Sequence, residues 1–504
     1  MRMICRNLVY GLVDNKKGCE KKMLETLKMI IEAGAKSAMT LEEIIKTEVT
    51  EWQNSKDRKL MLDGYKYYRG DADILQRERT VIGEHGRQET AKNLANNKLV
   101  HNFLRKLTDQ KTDYLLSKPM SIQTDNDTYL KLMNDIFNMS MLRKIKNLGK
   151  ESINKGLAWL HVFYDDNGQL SFKKIPSEEC TPLWQDSDHT VLDAFIRVYE
   201  IEAYEGKLKK TITKVEFWDT SGVKRYVLDG NLIPDVEAGE EGSHFSVVNN
   251  GSETKPANWE RIPFVCFKYN DEELPLIKFV ISLVDDYNKH KSDNSNNLED
   301  LPNSIYVVKN YSGTGAAEFR KNISQYRVVF VSDEGGVDTV SIELNTEAYK
   351  EHVERTRKDI YEFGRGVDTQ QKEIGNSPSG IALKFLYADL DMDCNGIETE
   401  FQASLEQLRW FIDAHITNTT GQDYSAEKVD FIFNRDIPIN ETEAIDNAKS
   451  SVGIISDVTI RANHPWVTDT KEETKRMEIQ KREEAEAFKD MQDFGPDTQD
   501  GDTE

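Results

Sequence analysis

Helical patterns of apolar residues fill the chain from Met23 to about Asn154. Thr40 is followed by Glu43 at the spacing of a capping box, which predicts the start of a helix over LEEIIKTEVTEWQ. In NNKLVHNFLRKLTDQKTDYLL, apolar residues recur along one helical face at spacings of 4, 4 and 7. These positions are Leu99, Phe103, Leu107 and Tyr114. The pattern predicts a helical first block.

The apolar period changes to two from about Leu157 to Asn270. Segments such as AWLHVFYDD, DAFIRVYEIEAY and TKVEFWDTSGVKRYVLDG are bounded by Asn-Gly, Ser-Gly or Asp-Gly, which favour tight hairpin turns. This part of the chain is therefore predicted to be a β-rich domain with a meander of hairpins.

Two helices and a small segment between them are predicted next. The helix over 274–301 starts apolar and becomes polar, as expected of a helix that leaves a core. Residues 302–344 contain short strands and one helical stretch, and such a segment is too small to fold alone. We expect it to protrude and to pack against copies of itself. The charged helix 346–364 returns from it. The apolar face of the first helix consists of Leu274, Ile277, Ile281, Val284 and Tyr287.

The longest helical pattern follows the polar loop RGVDTQQKEIGNSPSG. It spans about 40 residues, or roughly 60 Å, so it must cross more than one layer of the fold. A strand in KVDFIFNRDIPI, further helical segments and the acidic tail 491–504, expected to be disordered, complete the chain. The apolar positions of the long helix are Ile381, Leu386, Leu390, Ile397, Phe401, Leu405, Leu408 and Ile412.

The composition excludes several classes of protein. A chain of 504 residues predicts about three structural units. The net charge of −22 argues against a protein that wraps nucleic acid by neutralising phosphates. Five scattered cysteines without a CxxC pair fit a reducing compartment and no zinc site formed by sulfur. With no signal-peptide core and no apolar run near 18 residues, we expect a soluble, intracellular protein.

Candidate catalytic motifs are incomplete. GNSPSGIA (375–382) has the Gly-x4-Gly frame of a phosphate-binding loop, but Ile381 and Ala382 replace the required Lys and Ser/Thr. The nine histidines form no HExxH motif or other close sequence pair, and Cys394 has no local partner that would mark it as a nucleophile. Asp389, Asp391 and Asp393 could be magnesium ligands of a nuclease. Alternate residues of a helix point about 200° apart, however, so we expect solvated side chains there instead.

Five segments, in this order and spacing, resemble a known family over nearly the whole chain from about Met23. They are NNKLVHNFLRKLTDQKTDYLLSKPMSI (96–122), KNYSG (309–313), EGGVDTVSIEL (334–344), VDTQQKEIGNSPSGIALKFLYADLDMDC (367–394) and FNRDIPINETE (433–443). The family is that of the portal proteins of tailed bacteriophages, and most closely its branch from siphophages of Gram-positive hosts.

The resemblance implies an α+β portal fold assembled as a ring. Residues 1–22 have no counterpart in the family pattern and are either an upstream extension or the product of a start-site choice. The implied parts are a wing (23–273, helical and then β-rich), a stem helix (274–301), an α/β clip (302–344), a second stem helix (345–366), a channel loop (367–378), a long spine helix with a wing strand (379–440) and a helical crown (441–490).

The resemblance also implies two functional sites. The channel loop would line the path of double-stranded DNA, and its polar and small residues can touch a DNA backbone without reading base sequence. The clip would dock the packaging motor and later the head-completion adaptor. The predicted loop residues are Asp368, Thr369, Gln370, Gln371, Lys372, Glu373 and Asn376, and the predicted clip residues are Tyr311, Arg320 and Arg327.

The function implied is structural. A ring, typically of twelve subunits at one capsid vertex, would pass double-stranded DNA without sequence specificity. Its further partners would be the terminase motor, the adaptor, and the scaffold and major capsid proteins. It would be part of the virion, assembled in the host cytoplasm, without membrane, cofactor, metal or catalytic activity. The alternatives are a packaging nuclease or NTPase, and another minor head protein.

Overall fold

The computed structural model describes residues 39–82, 87–91, 94–249, 253–300, 305–309, 315, 334–340, 346–370, 380–435, 441–467 and 469–492. Within these ranges the chain is a mixture of helices and sheets. The helices are α1 (Leu41–Gln53), α2 (Lys56–Arg69), α3 (Phe103–Leu116), α4 (Asp127–Ile136), α5 (Met139–Lys155), α6 (Ile277–Asp300), α7 (Thr346–Phe363), α8 (Gly380–Thr420), α9 (Glu441–Ser450), α10 (Asp457–Ala462) and α11 (Thr470–Gln492).

The strands between α5 and α6 form the predicted meander. The strands of the described residues are β1 (Thr80–Ile82), β2 (Gln88–Thr90), β3 (Ser121–Gln123), β4 (Leu157–Tyr164), β5 (Leu170–Ile175), β6 (Cys180–Trp184), β7 (Leu192–Glu205), β8 (Leu208–Asp219), β9 (Gly222–Asp229), β10 (Asn231–Pro234), β11 (Glu241–Gly242), β12 (Phe245–Asn249), β13 (Glu253–Ala257), β14 (Phe264–Lys268), β15 (Ile305–Lys309), β16 (Gly336–Val340) and β17 (Asp430–Ile432). One sheet has the antiparallel order β10-β9-β8-β7-β6, with β11 on β9, and a second has the order β14-β4-β5. Four short pairs are β1 with β2, β12 with β13, β15 with β16, and β17 with β3.

Local sequence signals set several element boundaries. The Thr40 hydroxyl accepts a hydrogen bond from the Glu43 amide, and the Glu43 carboxylate accepts one from the Thr40 amide, so the predicted capping box is confirmed. The predicted turns at Gly168 and Gly230 have φ of +73° and +68°, a region that glycine adopts without strain. These signals act within a few residues, which is why the sequence alone reveals them.

The long helix α8 forms the centre of the largest hydrophobic core. Its 41 residues confirm the predicted long helix, and the predicted face is buried from Leu390 to Ile412. The same cluster contains Leu107 of α3 and Leu148 of α5. A separate small core lies between α1 and the meander sheet, where Ile45 is completely buried.

The prediction that Leu99 belongs to a helical face is wrong. Asn102 caps α3 by accepting a hydrogen bond from the Arg105 amide, so the helix begins only at Phe103. Residues 95–101 instead run along α6. The amide of every second residue donates to a side-chain oxygen of α6, and each successive acceptor lies four residues, or one helical turn, earlier in that helix. The four pairs are Ala95 with Asp300, Asn97 with Asn296, Leu99 with Ser292, and His101 with Asn288, at 2.6 to 3.1 Å.

These four hydrogen bonds, called rungs below, also correct the expectation for the second half of α6. Its polar composition predicted a helix that leaves the core, yet Asn288, Ser292 and Asn296 are at most 2% exposed. Buried polar side chains need hydrogen-bond partners, and the amides of residues 95–101 supply one to the side-chain oxygen of each. A polar helical face is therefore packed against the chain here.

Some predicted parts fall partly or wholly outside the described residues. These are the extension 1–22, most of the clip, residues 371–378 of the channel loop, and the tail from 493 onwards. Helix α11 ends at Gln492, two residues inside the predicted tail 491–504. Among the residues that the structure describes, no helix combines the length and apolar character needed to cross a bilayer.

Candidate functional site: the base of the predicted channel loop

The predicted channel loop begins where α7 ends against α3. The amides of Gly364 and Gly366 donate to carbonyl oxygens of the last turn of α7, and Arg365 between them has a φ of +47°. A Cβ atom on Gly366 would lie 2.2 Å from Cδ2 of Leu107. Glycine at this position therefore allows the backbone to approach α3 closely.

Three polar side chains of α3 hold the backbone that follows. Lys111 Nζ donates to the Arg365 carbonyl oxygen at 2.9 Å. The Gln110 amide group donates to the Val367 carbonyl oxygen at 2.8 Å and accepts from the Val367 amide at 3.2 Å. Lys106 Nζ lies 3.4 Å from the Thr369 hydroxyl. The first residues of the predicted loop are thus fixed to a helix of the main core.

Asp368 completes this attachment through α7. Its carboxylate accepts two hydrogen bonds from the Arg357 guanidinium, at 2.7 and 2.8 Å, and one from the Gln370 amide at 3.0 Å. The hydrogen bonds from Arg357 are the main reason that the pKa of Asp368 lies below its usual value. Asp368 is only 5% exposed in the chain. Its role in this structure is therefore to anchor the loop base.

Replacing Asp368 by asparagine is expected to loosen the loop base. A hydrogen bond to a charged group contributes about 1.5–3 kcal/mol, so the amides of Val367 and Gln370 should exchange with solvent about 10- to 150-fold faster. Hydrogen exchange measured by mass spectrometry or NMR gives this ratio. The matched control is Asp359→Asn, whose exposed partner Arg355 lies 3.9 Å away and whose loss should cost less than about 0.5 kcal/mol. Equal exchange in the two variants would contradict the anchoring role.

The pH dependence of this anchor follows from the direction of the pKa shift. A carboxyl group with a lowered pKa in the folded protein stabilises it fully above the ordinary pKa of about 4. That contribution is lost as the pH falls through the lowered value. At neutral pH the Asp368 to Arg357 pair is therefore fully formed.

A second carboxylate, Asp393 of α8, joins the loop base to the core. It pairs with Lys111 at 2.7 Å, accepts a hydrogen bond from the Tyr269 hydroxyl at 2.8 Å, and lies 3.4 Å from the Arg365 guanidinium. Lys111 is completely buried. Burial and the nearby Asp393 carboxylate raise the pKa of Tyr269 well above its ordinary value, so the hydroxyl remains a donor.

The expected solvated face on α8 is wrong for Asp393, whereas Asp391, with its side chain 40% exposed, is only partly covered by its partners. Asp391 accepts a hydrogen bond from the Tyr114 hydroxyl at 2.9 Å and pairs with Arg435. Asp393 belongs to the buried pair with Lys111. Only Asp389 is exposed as predicted. The partners lie tens to hundreds of residues away, so spacing along α8 could not reveal them.

Three of the predicted site residues lie in the described part of the chain, and the others lie outside it. Asp368 is buried at the loop base, whereas Thr369 and Gln370 are exposed directly after it. The other predicted residues lie outside the described part of the chain. They are Gln371, Lys372, Glu373 and Asn376 of the loop, and Tyr311, Arg320 and Arg327 of the clip.

The anchoring residues Lys106, Gln110, Lys111 and Arg357 were missed from the sequence. One signal was present: Lys111 lies between Leu107 and Tyr114 on the apolar face of α3. A lysine inside an apolar helical face requires a buried counter-charge. The sequence could have raised that requirement, but not identified Asp393 as the partner.

The surroundings of the loop do not match those of an NTPase. In a phosphate-binding loop the glycines follow a β-strand. Here the described chain before residue 371 is the helix α7 and the anchored segment 364–370. Two observations therefore argue against a phosphate-binding loop at GNSPSGIA: the helix that precedes it, and the lack of the required Lys and Ser/Thr.

Comparison with known proteins identifies the family. The family described as "Phage portal protein, SPP1 Gp6-like" matches residues 49–487. The portal protein of Bacillus phage SPP1 is 30% identical over 430 residues, covering 84% of each chain. That of Clostridium phage phiCD119 is 31% identical over 449 residues, covering 86% of this chain and 95% of the relative.

A solved structure titled as the neck of a native GTA particle, computed with C12 symmetry, aligns with a TM-score of 0.39 and 10% identity, covering 71% of this chain and 88% of that one. The family match and the two relatives confirm the resemblance found in the sequence. The chain belongs to the phage portal protein family, a family of structural proteins of the virion.

Proposed function

We propose that this protein assembles into a ring, typically of twelve subunits, at one vertex of the capsid. Double-stranded DNA passes through the axial channel of the ring during packaging and ejection. The observation that carries the proposal is the family match over residues 49–487. The anchored base of the loop adds support, because a segment that contacts a moving polymer needs a fixed point of attachment.

The charge of the protein suits a channel through which DNA slides. A ring of lysine side chains would multiply each phosphate contact by the number of subunits and hold the DNA. The net charge of −22 instead favours repulsion and weak contact. At the loop base Asp368 is neutralised by Arg357. The next two side chains, Thr369 and Gln370, are exposed and uncharged. Such groups contact phosphates without strong attraction.

The parts of the ring follow the family pattern. Helices α6 and α7 form the stem, residues 302–344 form the clip, α8 is the spine, and the helices after residue 440 form the crown. The clip docks the terminase motor during packaging and the head-completion adaptor afterwards, with Tyr311, Arg320 and Arg327 as contact residues. Scaffold and major capsid proteins surround the wing, and assembly takes place in the host cytoplasm.

The experiment that tests this proposal is electron microscopy of the purified protein with a mass measurement. We expect closed rings with an axial hole and a mass twelve times the 57.9 kDa of the chain. Sedimentation that shows only monomer at micromolar protein, over a range of salt concentrations, would contradict the ring. ATP hydrolysis or DNA cleavage by that monomer would favour the alternative of a packaging enzyme.

A further inference from the structure

Two histidines and an aspartate from the two proposed stem helices converge at one point on the surface. Asp286 and His290 are one turn apart on α6, with His290 Nε2 3.3 Å from Asp286 Oδ1. His352 of α7 reaches the same carboxylate, its Nε2 2.9 Å from Asp286 Oδ2. The three ligand atoms lie within 4.8 Å of one another. Residues 62 positions apart in sequence are thus joined at one carboxylate.

The spacing of these atoms suits a tetrahedral metal ion. Zinc bonds of about 2.0–2.1 Å at tetrahedral angles place neighbouring ligand atoms about 3.3 Å apart. The two nitrogen–oxygen separations, 3.3 Å to Oδ1 and 2.9 Å to Oδ2 of Asp286, are close to that value. The three ligand atoms lie within 4.8 Å of one another, so side-chain rotation has to bring them closer for all three to bind one ion.

The surroundings favour metal binding over a purely structural ion pair. The three side chains are 40 to 46% exposed, so an ion can enter from solvent and water can complete its coordination. In the described part of the chain, the ion pairs of Asp286 involve these two histidines and no lysine or arginine. The imidazole rings lie 4.5 Å apart between centroids.

We propose that Asp286, His290 and His352 bind a zinc ion that links α6 to α7. Two nitrogen ligands and one oxygen ligand favour zinc over magnesium or calcium, which prefer oxygen ligands alone. Histidine binds a metal ion only in its neutral form, so zinc binding is expected to weaken in acid. A bound zinc ion would prevent α6 and α7 from sliding along each other. This site does not depend on ring formation or on DNA passage.

The test is metal binding to the full-length protein after treatment with a chelator. Zinc chloride titrated against a chromophoric competitor should reveal one site per chain, and cobalt chloride should give the visible absorption of a tetrahedral ion. The variants His352→Gln and His290→Gln should each weaken zinc binding at least about tenfold. Zinc should raise the thermal unfolding midpoint of the wild type and not of either variant.

His189→Gln is the matched control. His189 is 40% exposed and lies 2.7 Å from the Glu273 carboxylate, whose other partner is Lys268 and not a second histidine. This variant should bind zinc and cobalt as the wild type does. The proposal is overturned if both cluster variants retain wild-type zinc affinity, which would place the metal elsewhere, or if the wild type binds no zinc. Circular dichroism checks that glutamine, a good helix former, leaves the helices intact.

Discussion

Disulfide crosslinks between cysteines introduced at Gln370 and Asn376 are expected to stop DNA passage while leaving ring assembly intact. In the proposed ring, copies of the loop meet at the narrowest part of the channel, so crosslinks between them would fix its width. The loop base cannot move outward to compensate, because Asp368, Val367 and Arg365 are held by α7 and α3. The measurement is the amount of nuclease-protected DNA in a packaging reaction, which should fall to background.

The native cysteines interfere little with this experiment. Cys180, Cys266 and Cys394 are buried, and burial raises the pKa of each thiol, for Cys394 to about 12. The reactive thiolate is therefore scarce at these positions near neutral pH. Cys5 and Cys19 should be replaced by serine in all variants. The same double-cysteine protein under reducing conditions is the control and should package normally. Full-length packaging by crosslinked rings would show that the loop does not line the narrowest part of the channel.

Replacing Asp393 by asparagine is expected to destabilise the protein by about 3–5 kcal/mol. The substitution leaves the completely buried Lys111 without a counter-charge, and an uncompensated buried charge carries a cost of this size. Urea denaturation followed by circular dichroism measures the loss. Asp389→Asn, one turn earlier on α8 and exposed, is the control and should change the free energy of unfolding by less than about 0.5 kcal/mol.

A double variant separates the charge effect from local packing. In Lys111→Met with Asp393→Asn, neither charge remains, while the introduced asparagine side chain can still accept the hydrogen bond from Tyr269. Removing both charges of a buried pair is far less costly than removing one, so much of the lost stability should return. If the double variant were as unstable as Asp393→Asn alone, the buried charge could not be the cause.

The sequence predicted elements whose signals are local. The capping box at Thr40, the turns at Gly168 and Gly230, and the 41 residues of α8 depend on spacings within one element. Hydrophobic periodicity also placed the buried face of α8 from Leu390 to Ile412, because an apolar stripe on a helix needs a core to cover it.

The misplaced residues depend on contacts that are distant in sequence. Leu99 continues a helical pattern, but its amide bonds to Ser292, 193 positions away. The spacing of Asp393 along α8 predicts a solvated side chain. In the fold it pairs instead with Lys111, which lies 282 positions earlier in the sequence. In the candidate site, the resemblance located the loop, whereas the side chains that anchor it come from α3, α7 and α8. Their convergence is a property of the tertiary fold.

The polar rungs between residues 95–101 and α6 restrict how the proposed stem can move. All four acceptors lie on one line of the helix, at residues 288, 292, 296 and 300. A spin of α6 about its own axis by one residue, about 100°, would break every rung at once. Tilting α6 together with the attached segment breaks none of them. The helix therefore has no free axial rotation. In the proposed ring, a movement of the clip would reach the wing as a tilt of α6 together with residues 95–101.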